Sequence, residues 1–311
     1  MIDRTSTAGN YSAILANLMA AESQQTAAAN KVSSTVNGTD LKSYSTQAET
    51  LTAMQSVDAR ITNYQSQNTI IAAKLDNQDA ALNSVAGAAT AVGQSISDAL
   101  AAGDGTTLMQ EVQSQFQTAA SGLNSQYDGK YLFAGGQVNT QPVTATQLSD
   151  LTSGPPIASF FQNDNLQVTA KLDDNTTVTT GQLASTLGTP MMQAFQAIEA
   201  YDQGPNGPLT GTLNATQQAF LTTQLQSWQG IATNLTTATA QNGMVQAQVA
   251  QVATSLATQQ TSLTGMIGNI TDADMAKAAT DLSNAQLAVQ ASAKVLQALQ
   301  SDSLLQILPV A

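Results

Sequence analysis

The stretch MQSVDARITNYQSQNTIIAAKLDNQDAALNSVAGAATAVGQSI, residues 54–96, decides the fold class. Its recurring positions are Met54, Val57, Ile61, Tyr64, Asn68, Ile71, Leu75, Gln78, Leu82, Val85, Ala89, Val92 and Ile96. The steps alternate three and four, a heptad seam held for about six heptads. Only Asn68 and Gln78 are polar, and an amide at such a seam costs stability while fixing register. No Pro occurs before Pro142, so one helix is expected from Ser43 to Ala101, closed by Gly103 and Gly105. At about 1.5 Å per residue it would extend roughly 85–90 Å.

A second seam mirrors the first. Leu221, Leu225, Trp228, Leu235, Val249, Val252, Leu256, Leu263, Ile267 and Ile270 keep a similar rhythm. Asn214 is a candidate N-cap for a helix from Ala215 to Ile270, and Gly243 a candidate kink. Two stripes of matched length bury each other most simply as an antiparallel pair. The expected core is Ile61, Ile71, Leu75, Leu82, Val92 and Ile96 against Leu225, Trp228, Val249, Leu256, Leu263 and Ile267. A third helix fits Thr107–Tyr127, with Leu108, Val112, Phe116, Ala119, Leu123 and Tyr127 on one face. The fold class is mainly α: a long antiparallel helical rod with coiled-coil-like terminal helices and a small β-rich insert.

The insert, residues 135–188, contains Pro142, Pro155 and Pro156, which forbid a long helix. Leu166, Val168, Ala170 and Leu172 alternate with polar residues. Asp173-Asp174-Asn175 then turns the chain into Thr176, Val178 and Thr180, the pattern of a hairpin packed over the end of the rod. Thr189-Pro190 is expected to open a short helix with Met191, Phe195 and Ile198 inward, and 204–208 is a loop. The organisation is five segments: 1–42, 43–134, 135–188, 189–270 and 271–311.

Both ends of the chain are amphipathic and sparsely charged. Ile14, Leu15 and Leu18 form a patch at the front. At the back Met275, Leu282, Val289, Leu296 and Leu299 share one face. Short isolated helices are marginal in water, so these segments are expected to lack fixed structure in a single chain and to order against neighbouring copies. They are the candidate polymerisation interface. Asp272 and Asp274 sit where a helix cap belongs.

Composition narrows the chemistry. The 311 residues carry a net charge of −12, with 10% charged and 4% aromatic residues. Gln alone outnumbers Lys, Arg, Asp and Glu together. Absence of His and Cys removes His-dependent triads, thiol nucleophiles, disulfides and zinc sites that use either residue. Nine cations make a poor nucleic-acid binder, and no apolar run is long enough for a membrane span. Arg4 ahead of Ala13–Ala21 imitates a secretory signal, but Asn17 interrupts the run, which reads better as a helix face. No constellation for a glycosidase or a Ser–Lys site is evident, so the chain reads as a polymer subunit ahead of a coiled-coil adaptor, with an enzyme least favoured. No cofactor is implied.

The back of the chain resembles the flagellin family. The residues that carry the resemblance are Ile270-Thr271-Asp272-Ala273-Asp274-Met275-Ala276, Thr280-Asp281-Leu282-Ser283-Asn284-Ala285-Gln286 and the ending Ser303-Leu304-Leu305-Gln306-Ile307-Leu308. Asn37-Gly38-Thr39-Asp40 before the long helix is similar to the family's front turn, although the usual basic residue and acidic pair with proline are missing. Asp128-Gly129-Lys130-Tyr131-Leu132-Phe133-Ala134-Gly135-Gly136, with Pro142 beyond and Gln290-Ala291-Ser292 later, resembles members that join hook to filament more than bulk filament members. Tyr131, Phe133 and Gly135 mark the junction with the insert. The resemblance implies a secreted, extracellular structural subunit of the bacterial flagellum, exported unfolded through the flagellar type III channel. The implied partners are further copies of itself, the preceding hook-associated junction protein, flagellin and an export chaperone on the carboxyl-terminal tail. Filament flagellin itself, or a non-flagellar coiled-coil adaptor, is the alternative.

Overall fold

The heptad seam becomes helix α2, Ala48–Ala102, in the computed structural model, which describes residues 3–305 and side-chain surroundings over residues 9–300. The helix stops at Gly103, whose φ of +65° is the left-handed conformation glycine adopts without a Cβ penalty. The Gly103 amide donates to Leu100 O and the Asp104 amide to Ala99 O, so the last carbonyls are capped. The helix begins five residues later than expected. Leu41–Tyr44 instead form a 3-10 turn, because Asp40 accepts the Ser43 amide and the Tyr44 ring folds back under Gly38.

The return helix α5 is Ala215–Thr271 and runs through Gly243 as helix. Asn214 and Gln217 cap it reciprocally: each backbone amide donates to the other's side-chain oxygen, at 2.9 and 3.0 Å. The remaining helices are α1 (Asp3–Ser34), α3 (Leu108–Leu123), α4 (Ala184–Asp202) and α6 (Met275–Leu305). Two short antiparallel sheets pair β1 (Gln126–Tyr127) with β2 (Lys130–Tyr131), and β3 (Thr169–Lys171) with β4 (Thr177–Thr179), and 3-10 turns span Leu148–Thr152 and Ile157–Phe160.

The contacts gather into two units. The central unit is residues 61–258; the terminal unit joins residues up to 60 with those from 259 onward. In the central unit, α2 and α5 run antiparallel. Leu75 O accepts from Asn242 Nδ2, Asp76 pairs with Gln246, Gly93 lies against Trp228, and Asp104 bridges Thr212. Phe116 of α3, Phe195 of α4 and Trp228 of α5 are fully buried and stack edge-on, with centroids 5.4 and 4.6 Å apart. Such pairs contribute about 0.5–1.5 kcal/mol each beyond their burial.

Expected core residues Ile61, Leu75, Leu82, Val92, Ile96, Trp228, Val249, Leu256 and Leu263 are buried, while Ile71, Leu225 and Ile267 are half-buried. Asn68 and Gln78 are both 1% exposed, as buried as their apolar neighbours on the seam.

Helix α4 starts at Ala184, five residues before the expected Thr189, and carries Pro190 inside it. The apolar face of Ala184, Gly188, Met191, Phe195 and Ile198 continues upstream of the proline. Gly188 packs so closely on Leu123 and Phe161 that a Cβ there would sit 2.8–2.9 Å from their side chains.

The β3–β4 hairpin adopts the alternating pattern, with Leu172 and Val178 inward; Leu166 is exposed. It lies beside the helix pair rather than over an end. Asn68 Nδ2 donates to Leu172 O, Tyr64 Oη donates to Asp174, and Gln182 Nε2 donates to Ala238 O.

Phe133 is fully buried and Tyr131 half-buried. The Phe133 carbonyl accepts from the Ala184 amide and so ties the insert's entry to α4. Gly135 has φ +66° and no room for a Cβ against Asp164. That carboxylate takes the amides of Gly136 and Leu166 at 2.8 and 2.9 Å, which hold its pKa below the usual carboxylate range.

Candidate assembly interface

The terminal unit is assembled from the two motifs at opposite ends of the sequence. Helix α1 ends at Ser34, and Thr35 turns the chain with φ +60°. A β-branched residue pays a steric cost in that region. The turn brings the front segment alongside residues 271–273. Thr35 O accepts from the Ala273 amide at 2.9 Å, and the Asn37 amide donates to Thr271 O at 2.8 Å. Asn37 Nδ2 donates to Asp272 O at 2.8 Å. Tyr44, nearly buried, braces this turn by donating its hydroxyl to Gly38 O and accepting the Gly38 amide. The hydroxyl and amide of Ser43 hold the Asp40 carboxyl below its usual range.

On the other side, Asp274 accepts the amides of Ala276 and Lys277, both at 3.0 Å, and so caps α6. Lys277 pairs with Asp281 one turn on, but both are exposed and the pair contributes little.

From this joint α1 and α6 run antiparallel, the end of α1 beside the start of α6. Their closest faces are small: Ala21 and Ala28 on α1, Ala278 and Ala285 on α6 are the buried residues. Ile14, Leu18 and Val32 flank them from one helix, and Leu282, Val289, Leu296 and Leu299 from the other, all half-buried. In the structure both segments are helical and lie against each other. Facing alanines, a sealed cap and a hydrogen-bonded joint give each helix a partner. Of the Ser303–Leu308 ending, Gln306, Ile307 and Leu308 lie outside the described residues.

The expected interface residues divide into two sets. Ile14, Leu18, Leu282, Val289, Leu296 and Leu299 face into the pair, whereas Leu15 and Met275 point outward. With Leu15 stand residues that the sequence reading missed. Tyr11, Leu15 and Met19, four apart on α1, are 41–63% exposed, and Leu287 and Val295, eight apart on α6, are 49–60% exposed. Helix α1 thus has a second apolar line, and α6 two further apolar residues, that the pair leaves uncovered within one chain. The four-residue spacing of Tyr11, Leu15 and Met19 was the available signal.

Among the described residues no group of three or more Asp, Glu, His or Cys side chains is placed to hold a metal ion, and no helix is long and apolar enough to cross a membrane.

By fold the chain is a mainly α protein of antiparallel long helices carrying two small hairpins. Residues 225–308 match the family model described as the bacterial flagellin C-terminal helical region, so the chain carries a flagellin-type carboxyl-terminal region. Two solved structures share the fold. One is a protein of Vibrio parahaemolyticus provisionally described as flagellar hook-associated: TM-score 0.59, 16% identity, covering 72% of this chain and 97% of that one. The other is FlgL of Bacillus cereus: TM-score 0.56, 18% identity, covering 70% of this chain and 99% of that one. No curated protein matches the sequence.

Proposed function

We propose that this chain is a structural subunit of the bacterial flagellum that joins hook to filament and assembles through its terminal helices. The observation that carries the proposal is the α1–α6 pair, sealed inward by small residues while Tyr11, Leu15 and Met19 on one helix and Leu287 and Val295 on the other stay exposed. Isolated exposed apolar residues are ordinary; three at four-residue spacing on α1, with two more on its partner helix, are what a packed polymer covers.

With only 10% charged residues, contacts between copies rest on apolar burial and amide hydrogen bonds, and self-repulsion is low. The flagellin-type carboxyl-terminal region supports the flagellar assignment, and the shared fold with hook-associated proteins supports the junction position. The partners that follow are further copies of the chain, the hook-side junction protein, flagellin and, before assembly, an export chaperone holding the carboxyl-terminal tail. The work is structural, not catalytic, and its place is outside the cell. Filament flagellin is the second reading, since the matched carboxyl-terminal region is that of flagellins in general.

The deciding experiment is fluorescent labelling of the assembled chain on intact flagella. A single narrow band at the hook end is expected. Label along the whole filament would replace the junction reading with the filament one, and absence of label from flagella would end both.

A further inference from the structure

Three Asn-Gly steps occur in the chain: Asn37-Gly38, Asn206-Gly207 and Asn242-Gly243. Such a step has a reaction of its own. The glycine nitrogen, with no Cβ on the following carbon to hinder it, attacks the asparagine Cγ. A C–N bond forms, the Cγ–Nδ2 bond breaks, and ammonia leaves with the glycine amide proton. A solvent water then opens the cyclic imide to aspartate or to its β-linked isomer. The reaction needs a free glycine amide, a free side-chain amide and a backbone loose enough to bring them together.

The structure treats the three steps differently. Asn242 is 1% exposed, its Nδ2 donates to Leu75 O at 3.0 Å, and Gly243 lies within α5. Asn206 is exposed in the loop after α4. The Gly207 amide donates to Gly204 O at 3.1 Å, but the Asn206 side-chain amide makes no hydrogen bond among the described residues.

At Asn37 both reacting groups are occupied, and the joint occupies them. Nδ2, the atom that would leave, donates to Asp272 O at 2.8 Å. The Gly38 amide, the nucleophile, donates to Tyr44 Oη at 3.0 Å. The Asn37 amide donates to Thr271 O at 2.8 Å and so fixes the backbone at the reacting residue. Two of these three partners come from the far end of the chain, so the step is guarded only while residues 271–272 are in place.

Neither product can rebuild the joint. An aspartate at position 37 turns an acceptor toward Asp272 O where a donor stood, and adds a charge close to Asp40 and Asp272. The β-linked isomer inserts one carbon into the main chain between the amide bonded to Thr271 and the amide bonded to Tyr44, so the two bonds lose their register.

We propose that Asn37-Gly38 is a self-deamidation site guarded by the joint, so that a chain left open is converted irreversibly into one that cannot close α1 on α6. The proposal concerns the chain's own chemistry and does not rest on the assembly reading.

The test is incubation of the full-length chain at mildly alkaline pH, in buffer and in urea, with peptide mass spectrometry following amide-to-acid conversion at residues 37, 206 and 242. A guarded reaction proceeds through the open fraction of molecules, so conversion at Asn37 in buffer should be at least roughly tenfold slower than in urea. Leu282→Asp, which weakens the α1–α6 pair, should speed conversion at Asn37 at least about fivefold and leave Asn206 and Asn242 unchanged. Tyr44→Phe, which frees the Gly38 amide, should speed it too, and supplies the answer if Leu282→Asp aggregates. Asn37→Asp should raise amide exchange in residues 3–34 and 275–305 and leave the central unit unaffected. Conversion at Asn37 as fast in buffer as in urea would overturn the proposal. So would acceleration by neither variant, or unchanged exchange in Asn37→Asp.

Discussion

The two units solve the same problem of burying a helical stripe with different materials. The central unit uses Phe116, Phe195, Trp228 and a column of leucines and valines, all out of water. The terminal unit closes α1 on α6 with four buried alanines and a fringe of half-buried aliphatics. A fully buried Leu or Phe contributes roughly 1.5–3 kcal/mol, a methylene-sized group about 0.8. The first arrangement holds a fold in dilute solution. The second holds two helices together while keeping their remaining apolar surface for something else. The difference teaches that pairing helices through small residues leaves their remaining apolar surface uncovered.

The comparison is broken most severely by striking the thicker core. Trp228→Ala should cost about 3–5 kcal/mol, read as a lowered denaturant midpoint of the central unit. If the loss stays below 1 kcal/mol, the aromatic cluster is not the anchor described.

Next in size is Leu282→Asp, which places a charge on the inner face of the α1–α6 pair. A loss of roughly 1–3 kcal/mol, confined to amide exchange in residues 3–34 and 275–305, is expected. Its control is Met19→Asp on the outward line, which should leave exchange unchanged and prevent incorporation into flagella. Normal incorporation of Met19→Asp would show that the exposed lines are not contact surfaces.

Thr35→Gly removes a β-branched residue from a left-handed turn. A gain of about 1 kcal/mol in the terminal unit is expected, measured by the same exchange. A loss would mean that the side chain contributes more than the strain removes.

The smallest effect concerns acid. Asp164 has its carboxyl pKa depressed by the amides of Gly136 and Leu166. Its contribution is complete above the ordinary carboxylate value of 3.8 and disappears as pH falls through the lower folded-state value. Asp164→Asn should therefore flatten the acid limb of the insert's stability profile and leave the terminal unit's unchanged. An identical acid limb in the variant would dismiss the carboxylate's role.

What the sequence revealed depended on which force acts alone. The long helices were legible because a heptad seam has one periodic signal over dozens of residues, and Gly103 and Asn214 stop and start them by local chemistry. The hairpin was legible because Leu172 and Val178 alternate with polar neighbours around Asp173-Asp174-Asn175. The start of α4 was not, since Pro190 looks like a first-turn residue, and only the tertiary contact of Gly188 with Leu123 and Phe161 explains the turns before it. At the interface, Leu282 and Val289 could be placed on a face, but not assigned to the pair or to the outside. That depends on where α1 lies.

The joint between Asn37 and Asp272 links positions 235 residues apart. During translation the front helix therefore emerges long before its mate exists, and nothing in its own neighbourhood can close it. The α1–α6 pair can form only after residues 271–305 have left the ribosome.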